Sequence, residues 1–486
     1  MRKILILIIL FISFNYVLAQ TAPDTLWTKT YGGSCYDRAY SVQQTSGGGF
    51  IIAGMTESYG VGLYDCWLIK TDENGNEEWD QTYGGVDYDY AFSVQQTVDG
   101  GYIIAGFTYS LGAGESDYWL VKTDENGDEE WNQTYGGVDY DHAHSVQQTT
   151  DGGYIIAGNT TSYGAGLYDS RLVKTDENGN EEWNHTYGGV GDDYATSVQQ
   201  TIDGGYIIAG SNSSYIVGNC DCWLIKTNMN GFEEWNLTYG GIDDDYATSV
   251  QQTVDEGYII AGITESYGAG ELDCWLIKTD VNGNEEWNQT FGGDDDDRAY
   301  SVQQTIDGGF IIAGTTTSFG VGNRVCWLIK TDENGDDEWN QTYNIGSSDV
   351  ARSVQQTTDG GYIVTGYCSL SIFDAWLMKL GPEGSIANNT IAESIISNLS
   401  NYPNPFNPTT TISFSIPDES SVDLIVFNIK GQKVKSLVKE SFESGNHSIL
   451  WDGDDDFGNS VASGVYLYKL NVNGKIEAVK KCLLLK

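Results

Sequence analysis

Histidine is almost missing from this chain of 486 residues: there are four, and none stands at a spacing that zinc sites use. Basic side chains are scarce too, 24 against 69 acidic ones. The shortfall is local. Nine lysines and ten carboxylates fall in residues 401–486 and two basic residues in the first three, which leaves thirteen basic against fifty-nine acidic side chains between residues 20 and 400. A field of that sign repels nucleic acid and anionic membranes and attracts cations, so no nucleic-acid partner is expected. Beyond residue 19 no run is long and apolar enough to span a bilayer. Helical periodicity is lacking throughout, and 60 glycines would penalise helices in any case.

The opening "MRKILILIILFISFNYVLAQ" has a basic start, an apolar stretch and a small-residue cut site, the pattern of a secretory leader (residues 1–19) cleaved after Ala19. An uncleaved membrane anchor is the alternative. No cysteine follows the cut, which argues against a lipid anchor there.

Past the leader the chain is largely repetition. SVQQT begins at Ser41, Ser93, Ser145, Ser197, Ser249, Ser301 and Ser353, always 52 residues apart, and a tryptophan keeps the same beat from Trp27 to Trp339. In "AFSVQQTVDGGYIIAGFTYSLGAGESDYWLVKTDENGDEEWNQTYGG" four segments of strand character are separated by turns. Asp-Gly joins the first segment to the second as a hairpin, and DENG joins the third to the fourth. YIIAG is a continuous apolar run, suited to a strand covered on both faces. EEWNQTYG has the polarity of a sheet edge. Four antiparallel strands in each repeat make a propeller blade. The layout resembles the WD-type repeat, without its Gly-His and Trp-Asp signatures. A β-helix or open solenoid is the competing architecture, built from shorter units. Counted from SVQQT, the last repeat owns only three strands, ending near Leu380, and Asp24 to Gly33 is expected to supply the fourth. The expected fold class is therefore all-β. A seven-bladed β-propeller occupies residues 20–380, closed by the N-terminal strand, followed by a linker over 381–400 and a small Ig-like β-sandwich over 401–486.

Several residues recur once per repeat. Asp37, Asp89, Asp141, Asp193, Asp245, Asp297 and Asp349 stand in the crossing loop between repeats, and Asp65, Asp117, Asp169, Asp221, Asp273 and Asp374 precede the third strand, with Val325 breaking that series. Two readings are open for the first series: oxygen ligation of Ca²⁺, or acceptance of backbone N–H bonds that fix each loop. DENGN lacks the alternation and closing Glu of an EF-hand loop and reads as a hairpin turn. Gln43, Gln44 and their copies either bind a ligand through their amides or satisfy one another. Tyr59, Tyr163, Tyr215, Tyr267 and Phe319 recur in the glycine-rich loop with carboxylates nearby, a composition suited to stacking on a glycan or protein ligand and also common in exported β-proteins. Local departures are His142, His144, Arg171 and Arg324. No Ser/His/Asp or Cys/His set can be assembled, and the near-identity of the blades suits multivalent binding better than an asymmetric catalytic site.

Of the eight cysteines, Cys66, Cys222, Cys274 and Cys326 share one slot in different repeats, too far apart to bridge, and read as small buried hydrophobes. Cys35 and Cys368 stand outside it. Closure of the ring would place them at one end of one sheet, where a disulfide is expected to fasten it, two unpaired thiols being the alternative.

The tail reads as about seven short strands, with turns at Lys430-Gly431 and Asn473-Gly474. Its carriers are Tyr402-Pro403-Asn404-Pro405, Gly431-Gln432-Lys433-Val434, Trp451-Asp452-Gly453, Ser463-Gly464-Val465-Tyr466 and the basic-apolar strand to Lys486. In these it resembles the C-terminal sorting domain of the type IX secretion system and the related Ig-like fold of flagellar hook-capping proteins. The resemblance implies export to the periplasm of a Gram-negative bacterium. Passage across the outer membrane would then be driven by secretion machinery acting on residues 401–486, with the cargo released or held at the surface. It implies nothing about what the cargo does. The expected role is binding, as a monomer: adhesion, or capture of a glycan or protein ligand, with Ca²⁺ as the one candidate cofactor. The alternative is a polysaccharide-active hydrolase or lyase on the same scaffold.

Overall fold

The computed structural model describes residues 21–213, 219–320, 324–369, 373–383, 399–404, 406–416, 420–428, 433–472 and 475–484. The leader, Tyr215, most of the linker and the turns at Lys430-Gly431 and Asn473-Gly474 lie outside them. No helix among the described residues is long and apolar enough to cross a membrane. The chain divides into two compact units, Met1–Ile386 and Ala387–Lys486.

In the first unit β1 (Thr25–Tyr31) precedes a regular series. Strands β2 (Asp37–Gln44), β3 (Phe50–Thr56), β4 (Asp65–Thr71) and β5 (Glu77–Tyr83) form one antiparallel sheet in that order. The pattern recurs in five further sheets. The seventh contains β26 (Asp349–Gln356), β27 (Tyr362–Ser369) and β28 (Phe373–Leu380), and its outer place is taken by β1, antiparallel to β28 with Thr30 opposite Trp376. The segment expected to complete the last sheet does so. These repeated four-stranded sheets resemble propeller blades.

The burial of each strand follows from its composition. Every residue of β3 is buried, whereas β5 is largely exposed or half-buried, as its charges require. The glycine of IIAG has a specific cause. Residue 40 is an extra residue in β2, a bulge between Ala39 and Ser41, and a Cβ on Gly54 would lie 1.8 Å from the Arg38 carbonyl oxygen. DENGN is a hairpin turn: Asp72 Oδ1 accepts from the N–H groups of Asn74 and Asn76, both at 2.8 Å, and Gly75 takes φ +73°. In the first unit each sheet from the second onward also buries one lysine, while Lys70 of the first is half-buried. Lys122 Nζ meets Asp99 Oδ2 at 2.9 Å and Glu130 Oε2 at 2.8 Å, so the buried charge is paired.

Neighbouring sheets are tied through SVQQT. Val94 N–H donates to Ser41 Oγ (3.2 Å) and Gln96 N–H to Gln43 Oε1 (2.6 Å). The same pair joins the last sheet to the first, Val42 N–H to Ser353 Oγ (3.3 Å) and Gln44 N–H to Gln355 Oε1 (2.7 Å). At the outer rim Tyr31 Oη donates to Gly75 O at 2.7 Å and Tyr83 Oη to Gly127 O at 2.5 Å. Apolar side chains fill the space between: Ile363, Ala375 and Leu377 pack with Phe50, Ile52 and Trp67.

The four slot cysteines are buried and free, as read from the sequence. Cys35 and Cys368 are also free, which corrects the expected disulfide. Strand β27 runs further than the repeat suggested, so Cys368 is not in a loop. It pairs in register with Asp349 and Asp374 and is fully buried, while Cys35 lies in the half-exposed loop after β1.

Among the described residues the second unit has seven strands in two sheets. Strands β29 (Ser400–Tyr402), β30 (Thr410–Ile416) and β33 (Gly445–Trp451) form one. Strands β31 (Ser420–Asn428), β32 (Lys433–Phe442), β34 (Gly464–Val472) and β35 (Lys475–Leu484) form the other. Alternating residues of both, including Ile412, Phe414, Leu424, Trp451 and Tyr468, make one buried core.

Candidate functional site

The per-repeat aspartates act on their own loops. Asp89 Oδ2 accepts from Gly85 N–H (2.8 Å) and Ser110 Oγ (2.7 Å), and Asp141, Asp245 and Asp297 repeat that pattern. Asp37 takes Gly33 N–H and Ser58 Oγ, Asp193 takes Gly189 N–H and Asn212 Nδ2, and Asp349 takes the N–H groups of Ile345 and Gly346. They do not converge. Among the described residues one group of three carboxylates could share a cation, Asp307, Glu338 and Glu383, outside this series. Lys330 Nζ already meets two of its members, at 3.0 and 2.7 Å.

The glycine-loop aromatics likewise stand one to a sheet. Tyr59 donates its hydroxyl to Gly32 O at 2.8 Å and lies 5.7 Å from the Trp67 ring. Tyr267 does the same with Gly240 O and Trp275, and Phe319 lies 5.4 Å from Trp327. Tyr163 faces the Arg171 guanidinium instead, at 4.6 Å. Each ring covers the third strand of its own sheet. The glutamine pair is occupied too: the first accepts from the next sheet's backbone and the second donates to its own hairpin, as Gln44 Nε2 does to Gly48 O. One Val and one Gln from each of the seven sheets line a cavity of about 250 Å³.

Asymmetry lies elsewhere. The seven copies of D-x-A-x-S-V-Q-Q-T are invariant except at the two positions marked x. The first reads Arg38, Tyr90, His142, Tyr194, Tyr246, Arg298, Val350, and the second, on the bulge, reads Tyr40, Phe92, His144, Thr196, Thr248, Tyr300, Arg352. Opposite the first position the second strand carries another variable residue, Phe107 facing Tyr90 in register. Thr196 and Thr248 turn inward and donate to backbone carbonyls of their own and the next sheet. The aromatic residues at these positions meet one another. Tyr40 and Phe92 lie 5.0 Å apart, Phe92 stacks parallel to Tyr90 at 6.0 Å, Tyr90 meets Phe107 at 4.7 Å, and Phe107 stacks on His142 at 3.9 Å.

This strip ends in a cleft of about 580 Å³ lined by Asp87, Tyr88, Tyr90, Phe107, Tyr109 and Glu115, with Gly114. Two loops form its rim, tied by Tyr109 N–H to Tyr88 O (2.9 Å). Rings on two walls and carboxylates at the edge offer π faces for an apolar ligand face and acceptors for hydroxyls. Sequence reasoning missed these residues. The signal was the internal comparison of repeats, in which both marked positions carry rings in the second and third copies alone.

His142 and His144 serve this wall. His142 Nε2 lies 2.8 Å from Ser116 Oγ, and burial, with His144 adding to it, pushes its pKa down to about 4. Burial also lowers that of His144, which lies 2.7 Å from Asn159 Oδ1. The Ser116–His142 contact is not a nucleophile and base poised for substrate, because Ser116 is fully buried.

Residues 401–475 match the family model of the FlgD Ig-like domain. No curated protein matches the chain. Among solved structures, PorZ is described as an essential bacterial surface component of the type IX secretion system of Porphyromonas gingivalis. It is similar at TM-score 0.44 and 12% identity, over 94% of this chain and 60% of that one. Sqt1 of Chaetomium thermophilum gives TM-score 0.41 and 10% identity over 71% of this chain and 84% of that one. The Pan2 WD40 domain of Neurospora crassa gives 0.37 and 8% over 60% and 89%. The chain thus spans less than two thirds of the length of PorZ, and at its C-terminal end it carries a segment similar to the FlgD Ig-like domain.

Proposed function

We propose that this is a secreted or cell-surface binding protein. Its seven sheets form one closed seven-bladed propeller that captures a glycan in the aromatic cleft beside the second sheet, and residues 401–486 direct its export as a sorting domain. The cleft carries the reading: a repeat that is otherwise copied closely diverges into rings where the cleft lies. Closure is supported by the serine and glutamine bonds between the last and first sheets. Export is supported by the leader pattern and by the tail's resemblance to sorting domains. The test is a glycan array run with turnover assays on the same sugars. Binding without turnover, lost in Tyr90→Ala and Tyr109→Ala, is the expected outcome. Hydrolysis or elimination of a bound sugar would make the protein an enzyme instead.

A further inference from the structure

Arginine is rare in the repeat region: Arg38, Arg171, Arg298, Arg324 and Arg352 are all there are between residues 20 and 400. Arg298 pairs with Asp296 at 3.2 Å, and Arg171 faces Asp141 and Glu181, each at 4.0 Å. Arg38 and Arg352, in the first and last sheets, form no ion pair among the described residues. Rings hold them instead. Arg38 lies 4.8 Å over Tyr367 and 5.1 Å over Phe373, while Arg352 lies 4.2 Å over Tyr300, 5.6 Å over Tyr367 and 5.7 Å over Tyr40. A ring grips a guanidinium by its plane and leaves the N–H edge for an acceptor. Arg352 Nη2 spends one donor on Tyr367 Oη at 3.2 Å, and the Nε of both arginines is buried without a partner.

Two like charges share the Tyr367 ring with no carboxylate supplied by a protein that has fifty-nine of them in this region. Tyr40 connects the pair to the strip that runs through Phe92 to the cleft, so one extended ligand can reach both. We propose that Arg38 and Arg352 form a subsite for the carboxylate of an acidic sugar in that ligand, a uronic-acid glycan whose neighbouring units lie on the rings. This rests on the proposed capture of a glycan in the cleft. Guanidinium and carboxylate match in a two-point hydrogen-bonded fork, and ordinary salt screens the protein's other carboxylates beyond roughly 8 Å.

The experiment titrates the full chain, without its leader, with an oligogalacturonate, its carboxyl-reduced neutral counterpart and poly-glutamate. Binding of the oligogalacturonate at least tenfold tighter than its reduced form is expected. Arg38→Gln and Arg352→Gln should abolish the difference, and Arg38→Lys and Arg352→Lys should keep part of it. The comparison of two sugars on unmodified protein needs no variant to fold. Equal binding of both sugars, or a preference that survives both Gln variants, overturns the subsite and leaves the cleft reading standing. Binding of neither sugar overturns both. Tighter binding of poly-glutamate overturns the assignment to a sugar.

Discussion

Tyr118 of the second sheet donates its hydroxyl to the backbone carbonyl of Arg171 in the third, at 3.1 Å. Elsewhere the residue at Tyr118's position is small where the next sheet presents a tryptophan: Cys66 packs with Trp119, Cys222 with Trp275, Cys274 with Trp327 and Cys326 with Trp376. Only where Arg171 replaces the tryptophan is its neighbour a large ring. The slot cysteines are small because a tryptophan needs the space. Arg171→Trp alone should overpack the interface and cost about 1–3 kcal/mol. Tyr118→Cys alone should leave a void and cost about 3–5 kcal/mol, as for truncation of other large core rings. The double variant should recover most of both losses, since Asn184 stands where Asn132 accepts the indole N–H of Trp119. Urea unfolding of all four proteins measures the coupling, and additive losses would refute it.

Much of this fold could be read from the chain. A strict period with turn residues at fixed offsets specifies strands and hairpins locally, and the strand missing after Lys379 pointed to β1 as its replacement. The ends of strands were less legible, which is why Cys368 was placed in a loop. The cleft was hidden for another reason. Tyr88, Tyr90, Phe107 and Tyr109 come from two strands and two loops, and only register brings them together. In the sequence Tyr88 shares its slot with Tyr36 and Tyr140, and Tyr90 with Tyr194 and Tyr246, so that Phe107 and Tyr109 alone depart from the other repeats.

Asp89 tests the loop-fixing reading against the cation reading. Its carboxylate already serves Gly85 N–H and Ser110 Oγ. Asp89→Ala leaves these donors unpaired and should cost about 2–4 kcal/mol. Millimolar Ca²⁺ should leave the melting temperature of the unmodified protein within about 1 °C, whereas a site held at a hundredfold excess over Kd would add about 2.7 kcal/mol. A rise of several degrees that EDTA reverses would restore calcium to the account.

The proposed closure predicts an unequal response to two changes. Gln355→Ala removes one acceptor from Gln44 N–H and should cost about 1 kcal/mol. Deleting residues 24–33 strips β1 from β28, where Trp376 and Leu377 are fully buried, and also removes the Tyr31 bond to Gly75. The melting temperature should fall by more than about 10 °C, since both neighbouring interfaces lose apolar cover. A truncated protein that melts with the intact one would show that β1 closes nothing.

Acid should first stabilise this protein and then unfold it. Burial, with Asp89 adding to it, pushes the Asp65 carboxyl up to about 6, against the hydrogen bond from Val61. Burial raises Asp117, Asp221 and Asp273 in the same way, each beside its own partner aspartate across the sheet interface. A carboxyl raised on folding binds protons more tightly in the folded chain, so its contribution grows as the pH falls through its folded pKa and is complete below the unfolded value, roughly 4. Asp99, Asp151 and Asp203 behave oppositely. Burial works to raise them, but hydrogen bonds from a threonine and the buried lysine outweigh it and hold them below the ordinary carboxylate range. Their contribution is present above roughly pH 4 and is lost as the pH falls through their lowered values. Melting temperature should therefore rise from pH 7.5 to about 5 and drop steeply below about 3.5. Asp65→Asn should flatten the rising limb, and Lys122→Met should weaken the acid drop. A protein whose stability falls steadily from neutral pH downward would show that the paired aspartates are ionised without strain.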